Sequence, residues 1–244
     1  MQSLEIPRVI GHRGAAGHAP ENTLAALRRA AALGVRMVEF DAKLSADLVP
    51  VLMHDETLER TTDGAGAVAD APLSALAALD AGSWYDAAHA GEPVPTLAVA
   101  LKAALGLGLA VNIEIKPCPG RERETARRVL EAARALWPAE RPPPLVSSFS
   151  VEALAEARAS APDWPRGWLI WDRPEDWRRV LSDLAPATLN VAQDRETPER
   201  IAEYRAAGLP VLAYTVNHAG RARQLLALGI AALFTDFPDR LAGL

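Results

Sequence analysis

Residues 36–41 read Arg-Met-Val-Glu-Phe-Asp and residues 110–115 read Ala-Val-Asn-Ile-Glu-Ile, and these two stretches decide the fold. Each is a short run in which β-forming apolar residues are interrupted by polar or charged ones, as expected of a strand that is buried except at its functional end. Because side chains alternate across a strand, Glu39 and Asp41 are predicted to share one face and Phe40 the other. Polar side chains therefore arise at the ends of strands that are otherwise buried.

The rest of the chain repeats this arrangement, with short apolar runs alternating with Ala/Leu/Arg-rich stretches of helical period. The candidate strands are Arg8–Gly11, Arg36–Asp41, Val49–Met53, Ala110–Ile115, Leu145–Phe149, Gly167–Trp171, Thr188–Ala192, Pro210–Thr215 and Ala231–Thr235. The candidate helices are Glu21–Leu33, Arg121–Leu136, Val151–Ala159, Glu175–Leu184, Pro198–Ala207 and Ala219–Leu228. Alternating strands and helices predict an α/β fold with a parallel sheet. Eight or nine strands in 244 residues fit a (β/α)₈ TIM barrel.

An open, doubly wound sheet is the alternative fold. Against it, the first strand is not followed by a G-x-G-x-x-G loop, and the chain contains no phosphate loop of the G-x-x-x-x-G-K-[ST] type. In a TIM barrel, catalytic residues lie at the C-terminal ends of the strands, which is where the polar residues of this chain fall.

One segment interrupts the alternation. Residues 57–95 form a connection far longer than the usual βα loop of about 2–6 residues. We interpret the chain as a single barrel domain over residues 1–244, with a small inserted subdomain at about 57–95 after the second strand region. An irregular excursion without function is the other interpretation of this segment.

Composition excludes several classes of protein. Half of the residues are hydrophobic, 23% are charged and the formal net charge is -5, so nothing indicates a nucleic-acid partner. The single cysteine, Cys118, excludes an internal disulfide. Residues 1–8 do not resemble a secretory signal, and the longest uncharged run, around 225–235, is too short to span a bilayer. We therefore expect a cytoplasmic protein without a membrane anchor.

Three carboxylates are candidate metal ligands. Glu39 and Asp41 on one buried strand would repel each other and be costly to desolvate, and a divalent cation would remove both penalties. Glu114 stands at the equivalent end of the strand at 110–115. An oxygen-only site of this kind suits Mg²⁺ or Ca²⁺. The alternatives are exposed acids at a strand end and a structural ion pair between Glu114 and Lys116.

Two histidines and two cations complete the candidate site. His12 and His54 both follow apolar strands and have charged neighbours, and histidine titrates near neutrality, which suits general acid and base roles. Arg13 offers a planar fork for a phosphate, and Lys116 offers a compact positive charge. The alternatives are structural histidines and salt bridges to nearby acids. Near the first helix, Asn22 or Thr23 is predicted to be the N-cap, with Glu21 beside it.

The chain resembles the glycerophosphodiester phosphodiesterase family, because its motifs match those of the family and occur in the same order. The matching elements are His12-Arg13-Gly14, Pro20-Glu21-Asn22-Thr23, Glu39-x-Asp41, His54-Asp55 with Thr57-Leu58-x-Arg60-Thr61-Thr62, Glu114-Ile115-Lys116, Ser148-Phe149, Thr215-Val216-Asn217 and Thr235-Asp236-x-Pro238. They span nearly the whole chain.

The resemblance implies a (β/α)₈ barrel enzyme that hydrolyses glycerophosphodiesters to sn-glycerol 3-phosphate and an alcohol, using one divalent cation. The small size is similar to the cytoplasmic bacterial members. Among the site residues, it implies that Glu39, Asp41 and Glu114 bind the metal, that His12 and His54 form the acid/base pair, and that Arg13 and Lys116 contact phosphate.

The chain also departs from the family pattern. Asp47-Leu48 stands where members often have Asp-Gly, so the turn after the metal-binding strand is expected to have a different shape. Tyr214 stands where Trp is common, which would alter the substrate wall. Trp171, at the end of the fifth barrel strand, is a second candidate for that wall, with barrel packing as its alternative.

Two rival functions remain open at this point. The first is a lysophospholipase D-like phosphodiesterase, which would need an apolar groove for acyl chains. The second is a non-catalytic barrel that binds phosphate esters. It would be expected to lack one of the two histidines or three carboxylates, and this chain has all five.

Overall fold

A closed barrel of eight parallel strands forms the centre of the molecule. The computed structural model describes residues 5–244. The strands are β1 (Val9–Gly11), β2 (Met37–Leu44), β3 (Pro50–Leu52), β4 (Ala110–Ile115), β5 (Leu145–Ser148), β6 (Arg166–Ile170), β7 (Thr188–Ala192), β8 (Val211–Tyr214) and β9 (Ala232–Thr235). All except β3 are parallel, and β1 pairs with both β2 and β9, which closes the sheet. The predicted TIM barrel is confirmed, and the open doubly wound sheet is excluded.

Helices connect the strands and cover the outside of the barrel. They are α1 (Leu24–Ala32), α2 (Leu73–Leu76), α3 (Leu97–Gly106), α4 (Glu122–Leu136), α5 (Val151–Ser160), α6 (Trp177–Leu184), α7 (Pro198–Ala206) and α8 (Ala219–Ala227). Hydroxyl side chains cap four of them: Thr23 (α1), Thr96 (α3), Ser150 (α5) and Thr197 (α7) each accept a hydrogen bond from a backbone N–H in the first turn. Within residues 5–244 no helix is both long and apolar enough to cross a membrane.

In strand β2, the side chains alternate between the apolar core outside the sheet and the interior of the barrel. Val38, Phe40 and Ala42 belong to the apolar core between sheet and helices. Glu39 and Asp41 alternate with them and are also buried. Since residues two apart point the same way, the polar side chains of β2 face the barrel interior. The strand predicted at Arg36–Asp41 is therefore real and extends to Leu44.

The predicted strand at Val49–Met53 has a different role from the others. It is seen as β3, which pairs with β2 in the antiparallel direction, with Ala42 opposite Leu52. It is therefore a hairpin partner of β2 outside the parallel barrel. Hydrophobic periodicity identifies a strand but not the direction of its pairing, which explains the difference.

The segment at 57–95 has a small core of its own. Its apolar side chains pack with those of β3 and its neighbours; the buried members are Val51, Met53, Leu58, Val68, Leu76, Ala81 and Val94. Asp80 organises its loops by accepting hydrogen bonds from the backbone N–H groups of Gly82, Ser83 and Gly91, at 2.8–2.9 Å. The segment thus has buried apolar side chains and loops joined by hydrogen bonds, and its interpretation as an inserted subdomain stays a prediction.

Candidate active site

The three predicted carboxylates meet at the C-terminal end of the barrel. Strands β2 and β4 are parallel neighbours, with Asp41 opposite Glu114. One carboxylate oxygen each from Glu39, Asp41 and Glu114 lies within 4.8 Å of the other two, and all three residues are buried. The barrel register therefore converts two separated sequence motifs into one cluster that could hold a metal ion.

Glu39 is the carboxylate of the cluster with the strongest electrostatic penalty. Glu39 Oε1 is buried and has no hydrogen-bond partner within residues 5–244. Burial raises the pKa of Glu39 well above its ordinary value, and the negative charges of Asp41 and Glu114 raise it further. Burial likewise raises the pKa of Glu114. A hard divalent cation fits this donor set, because it would coordinate the orphaned oxygen and cancel the repulsion.

Two cations lie against the cluster, as predicted. Lys116 Nζ is 3.1 Å from Glu114 Oε1 and 3.5 Å from Asp41 Oδ1, and Arg13 Nε is 3.2 Å from Asp41 Oδ2. Burial alone would raise the pKa of Asp41, but the charges of Lys116 and Arg13 outweigh it and hold that pKa below its ordinary value. The buried Nε of Arg13 thus faces the Asp41 carboxylate, although the contact does not have hydrogen-bond geometry.

Asn22 has a role that the sequence did not indicate. Thr23, not Asn22, caps α1. Asn22 adopts a left-handed backbone conformation (φ 58°), its Nδ2 donates to Asp41 Oδ2 at 2.8 Å, and its Oδ1 accepts from Asp41 N at 3.0 Å. Glu21 is likewise more than a helix-start acid, since it accepts hydrogen bonds from Arg13 and Arg60. The residues before α1 therefore also hold the Asp41 carboxylate of the cluster in position.

His12 is held by a carboxylate that directly follows the last barrel strand. A Cβ at Gly11 would lie 2.1 Å from the carbonyl oxygen of Gly14, so only glycine permits the tight turn that presents His12. His12 Nδ1 is 2.7 Å from Asp236 Oδ1, and Nε2 is 4.0 Å from Glu39 Oε2. Asn217 Nδ2 donates to the other oxygen of Asp236 at 2.7 Å. This network orients the ring toward the cluster.

His54 has a similar arrangement, with its ring nitrogen held by a carboxylate. Its Nδ1 is 2.6 Å from Asp55 Oδ1, and Arg60 from the inserted segment pairs with Asp55. These contacts hold the pKa of Asp55 at about 2, mainly through the hydrogen bond from Arg60. Burial lowers the pKa of His54 below its ordinary value, although the charge of Asp41 opposes this. A largely neutral imidazole near pH 7 can accept a proton.

A cavity of about 260 Å³ brings these groups together. It is lined by His12, Arg13, Glu39, His54, Asn112, Glu114, Lys116, Phe149, Leu169, Trp171, Tyr214, Thr215 and Phe234. Both predicted wall residues are present. Trp171 is half exposed. The Tyr214 hydroxyl donates to the Ile170 carbonyl at 2.7 Å, so Tyr214 presents its ring, and not its hydroxyl, to the cavity. Eight of the nine predicted site residues thus line the cavity, and the ninth, Asp41, belongs to the carboxylate cluster with Glu39 and Glu114.

The groups that orient the catalytic candidates were not predicted from the sequence. Asp236 and Asn217 belong to the quoted motifs but were assigned no role, although Asp236 directly follows a barrel strand, as His12 does. Lys43 was also missed: it continues the Glu39/Asp41 face of β2, is buried, and donates to the Lys116 carbonyl at 3.1 Å. Its period-two spacing from Asp41 was the available signal.

The expected change in turn shape at Asp47-Leu48 was wrong. Leu48 has φ 64°, the left-handed conformation that a glycine would adopt there. Its N–H donates to the Ser45 carbonyl at 3.1 Å, and the Ser45 hydroxyl donates to Asp47 and accepts from Val49 N–H. The surrounding hydrogen bonds fix the turn, so leucine bears the strain instead of changing the shape.

Comparison with known proteins shows the family of this chain. The sequence model of the glycerophosphoryl diester phosphodiesterase family matches residues 12–240. The chain belongs to this family. It is therefore a member of a family of phosphodiesterase enzymes, as the sequence predicted.

Similar proteins match over nearly the whole chain. A glycerophosphodiester phosphodiesterase of Caldanaerobacter subterraneus subsp. tengcongensis is 32% identical, covering 97% of this chain and 96% of the relative. One from Bacillus subtilis is 30% identical, covering 94% and 83%. The structure of an Oleispira antarctica phosphodiesterase in complex with the product sn-glycerol-3-phosphate superposes with a TM-score of 0.94 at 40% identity, covering 97% and 95%.

Proposed function

We propose that this chain hydrolyses glycerophosphodiesters to sn-glycerol 3-phosphate and an alcohol, with one divalent cation, Mg²⁺ or Ca²⁺, held by Glu39, Asp41 and Glu114. The observation that carries the proposal is the cavity in which this cluster and two carboxylate-held histidines meet. Family membership supports the reaction class. The product bound to the Oleispira antarctica enzyme supports the substrate class.

The three carboxylates would hold the cation through oxygen atoms alone, and Glu39 Oε1 has no hydrogen-bond partner among residues 5–244. A cation bound there supplies charge neutralisation and polarisation of a phosphoryl oxygen. Asn22 keeps the Asp41 carboxylate in position through its two hydrogen bonds. The residues of the chain therefore prepare this site before substrate binds.

His12 and His54 supply the proton transfers. With Nδ1 engaged by Asp236 or Asp55, each ring presents Nε2 to the cavity. One histidine accepts the proton of the attacking oxygen, and the other donates a proton to the oxygen of the leaving alcohol. The paired carboxylates fix the tautomer and stabilise the imidazolium form. The attacking oxygen belongs to water or to the neighbouring hydroxyl of the substrate.

Arg13 and Lys116 neutralise the charge that develops on the phosphoryl group. Both side chains are held by acids of the cluster, so they are oriented before the substrate arrives. Trp171 and Tyr214 form the aromatic wall of the cavity, against which the carbon skeleton of the glycerol can pack.

The test is metal removal followed by selective return. Protein treated with a chelator is assayed for release of glycerol 3-phosphate from glycerophosphocholine, with Mg²⁺, Ca²⁺ or Mn²⁺ added singly. We expect activity to vanish and to return with one of these ions. Persistent activity in the chelator would refute the metal dependence. If no ion restores activity, hydrolysis of small glycerophosphodiesters is refuted, and lysophospholipids are the substrates to assay next.

A further inference from the structure

Arg60, in the segment at 57–95, makes hydrogen bonds to two carboxylates from different parts of the chain. Its Nη1 and Nη2 donate to Glu21 Oε2 and Oε1, at 2.8 and 2.7 Å. Its Nε and Nη2 donate to Asp55 Oδ2 and Oδ1, the second of these at 3.1 Å. One planar guanidinium therefore engages both carboxylates, each through two donors.

Each of the two carboxylates also contacts a residue of the catalytic cavity. Asp55 Oδ1, which accepts from Arg60, lies 2.6 Å from His54 Nδ1. Glu21 Oε1, which accepts from Arg60, also accepts from Arg13 Nη1 at 2.7 Å. On the proposed function, on which this inference rests, His54 transfers a proton and Arg13 contacts the phosphate. Arg60 is thus separated by a single carboxylate from each of these two groups.

The backbone that carries Arg60 is fixed by buried neighbours. Leu58, Thr61 and Thr62 are all buried. The Thr62 hydroxyl donates to the Leu58 carbonyl at 2.7 Å, and the Leu58 N–H donates to the Gly66 carbonyl at 3.0 Å. The guanidinium therefore extends from an anchored turn, so it can hold the two carboxylates in a defined arrangement.

An ion pair that only attaches this segment to the rest of the fold is the alternative. The chain contains such a pair, because Arg28 of α1 lies 3.4 Å from Glu92 at the other end of the segment. Glu92 also accepts from the backbone N–H of Ala25 in the first turn of α1. Attachment does not require that both acceptors of Arg60 hold cavity residues, whereas a positioning role does.

We propose that Arg60 is a positioning residue that orients His54 and Arg13 together, so that the segment at 57–95 completes the catalytic site. Without the guanidinium fork, the Asp55 and Glu21 carboxylates can turn away from their present partners. A misaligned His54 slows proton transfer and lowers kcat. A misaligned Arg13 binds the phosphate of the product less tightly.

The experiment removes the fork and then each of its two arms. Arg60→Gln removes both the charge and the fork, whereas Arg60→Lys keeps the charge on a side chain that cannot form a fork. Asp55→Asn and Glu21→Gln interrupt the two arms separately. The matched control is Arg28→Gln, which removes the other ion pair between the segment and the rest of the fold. The readouts are kcat for hydrolysis of glycerophosphocholine, the inhibition constant of glycerol 3-phosphate, and Tm.

For Arg60→Gln we expect kcat to fall about tenfold, which is part of the roughly 100-fold cost of a 1 Å misplacement. The inhibition constant should rise about threefold or more, because a hydrogen bond to a charged group is weakened. Arg60→Lys should lose at least about threefold in both quantities. Asp55→Asn should lower kcat without changing the inhibition constant, and Glu21→Gln should raise the inhibition constant. Arg28→Gln should keep both values of the wild type, even where its Tm falls.

Three results would overturn the positioning role and leave the proposed function standing. They are wild-type values of both quantities in Arg60→Gln, full recovery of both in Arg60→Lys, and equal losses in Arg28→Gln and Arg60→Gln. If Arg60→Gln does not fold, Arg60→Lys and the two single-arm variants carry the same test. A wild-type protein that does not hydrolyse glycerophosphocholine would overturn both the positioning role and the proposed function.

Discussion

Glu39→Gln should make the metal-free protein more stable while destroying its response to metal. In the wild-type chain three buried carboxylates lie within 4.8 Å of one another. At that separation, and an effective dielectric constant of about 20, each pair of full charges repels by about 3 kcal/mol. Glutamine removes the charge of Glu39 and can still accept the hydrogen bond from Arg13 N–H, which is 2.9 Å long.

Not all of that repulsion is recovered, because Arg13 and the partial protonation of Glu39 already offset some of it. We therefore expect the free energy of unfolding in chelator to rise by about 1–3 kcal/mol, which corresponds to about 2–12 °C in Tm for a chain of this size. The assay is thermal unfolding with chelator and then with a saturating divalent cation. The wild type should gain Tm when the cation is added, and Glu39→Gln should gain little.

The effect should also depend on pH. The pKa of Glu39 is raised above its ordinary value of 4.5 in the folded state. A carboxyl of this kind contributes stability below about pH 4.5 and loses that contribution as the pH rises through the folded pKa. In chelator, the advantage of Glu39→Gln over wild type should therefore grow from pH 5 to pH 8.

The control is Glu196→Gln, another buried glutamate whose pKa is raised by burial but which contacts Tyr204 instead of the cluster. This control should retain the Tm gain from the cation. A Glu39→Gln variant that is less stable than wild type in chelator, or that keeps the full metal-induced gain, would refute the electrostatic account.

Three further perturbations have defined outcomes. Asp236→Asn removes the charged partner of His12 and should lower kcat by about 10–100-fold with little change in KM, measured by steady-state kinetics. Leu48→Gly relieves a left-handed leucine, worth about 1–2 kcal/mol, against a glycine entropy cost of about 0.5–1 kcal/mol, so urea unfolding should show a net gain of up to about 1.5 kcal/mol. Asp55→Asn removes a charged partner whose hydrogen bond raises the pKa of His54. The pKa of His54 should therefore fall further, and the acid limb of kcat/KM assigned to His54 should move to lower pH.

Each of these expectations has a contrary result. Asp239→Asn, which contacts His18 outside the cavity, should leave kcat unchanged, and an equal loss in Asp239→Asn and Asp236→Asn would contradict the orienting role of Asp236. A loss of stability in Leu48→Gly would show that its side-chain contacts outweigh the strain. If the acid limb of kcat/KM in Asp55→Asn stays at the same pH or moves to higher pH, the contact between His54 and Asp55 does not control this titration.

Much of the site was predictable because a barrel concentrates function at strand ends. His12, Glu39 and Glu114 each stand at or just after the end of an apolar run, and parallel pairing brings such ends together whatever their distance along the chain. The register that places Asp41 opposite Glu114 follows from the same rule. Period-two alternation then decides which side chains point inward.

What escaped prediction depends on contacts that local sequence does not encode. The Asp236 partner of His12 is 224 positions away. Asn22 has the same chemistry whether it caps a helix or clamps Asp41, so only the tertiary structure separates the two roles. The positive φ of Leu48 is imposed by hydrogen bonds around the turn, against the intrinsic preference of leucine.

The central claim is that His12 and His54 perform the proton transfers beside a metal held by the three carboxylates. The most direct measurement is kcat for release of glycerol 3-phosphate by His12→Ala and His54→Ala at saturating cation, with cation affinity determined by calorimetry on the same samples. The account predicts that each variant loses about 100-fold or more in kcat and still binds the cation. Either variant turning over at near wild-type rate with the cation bound would contradict it.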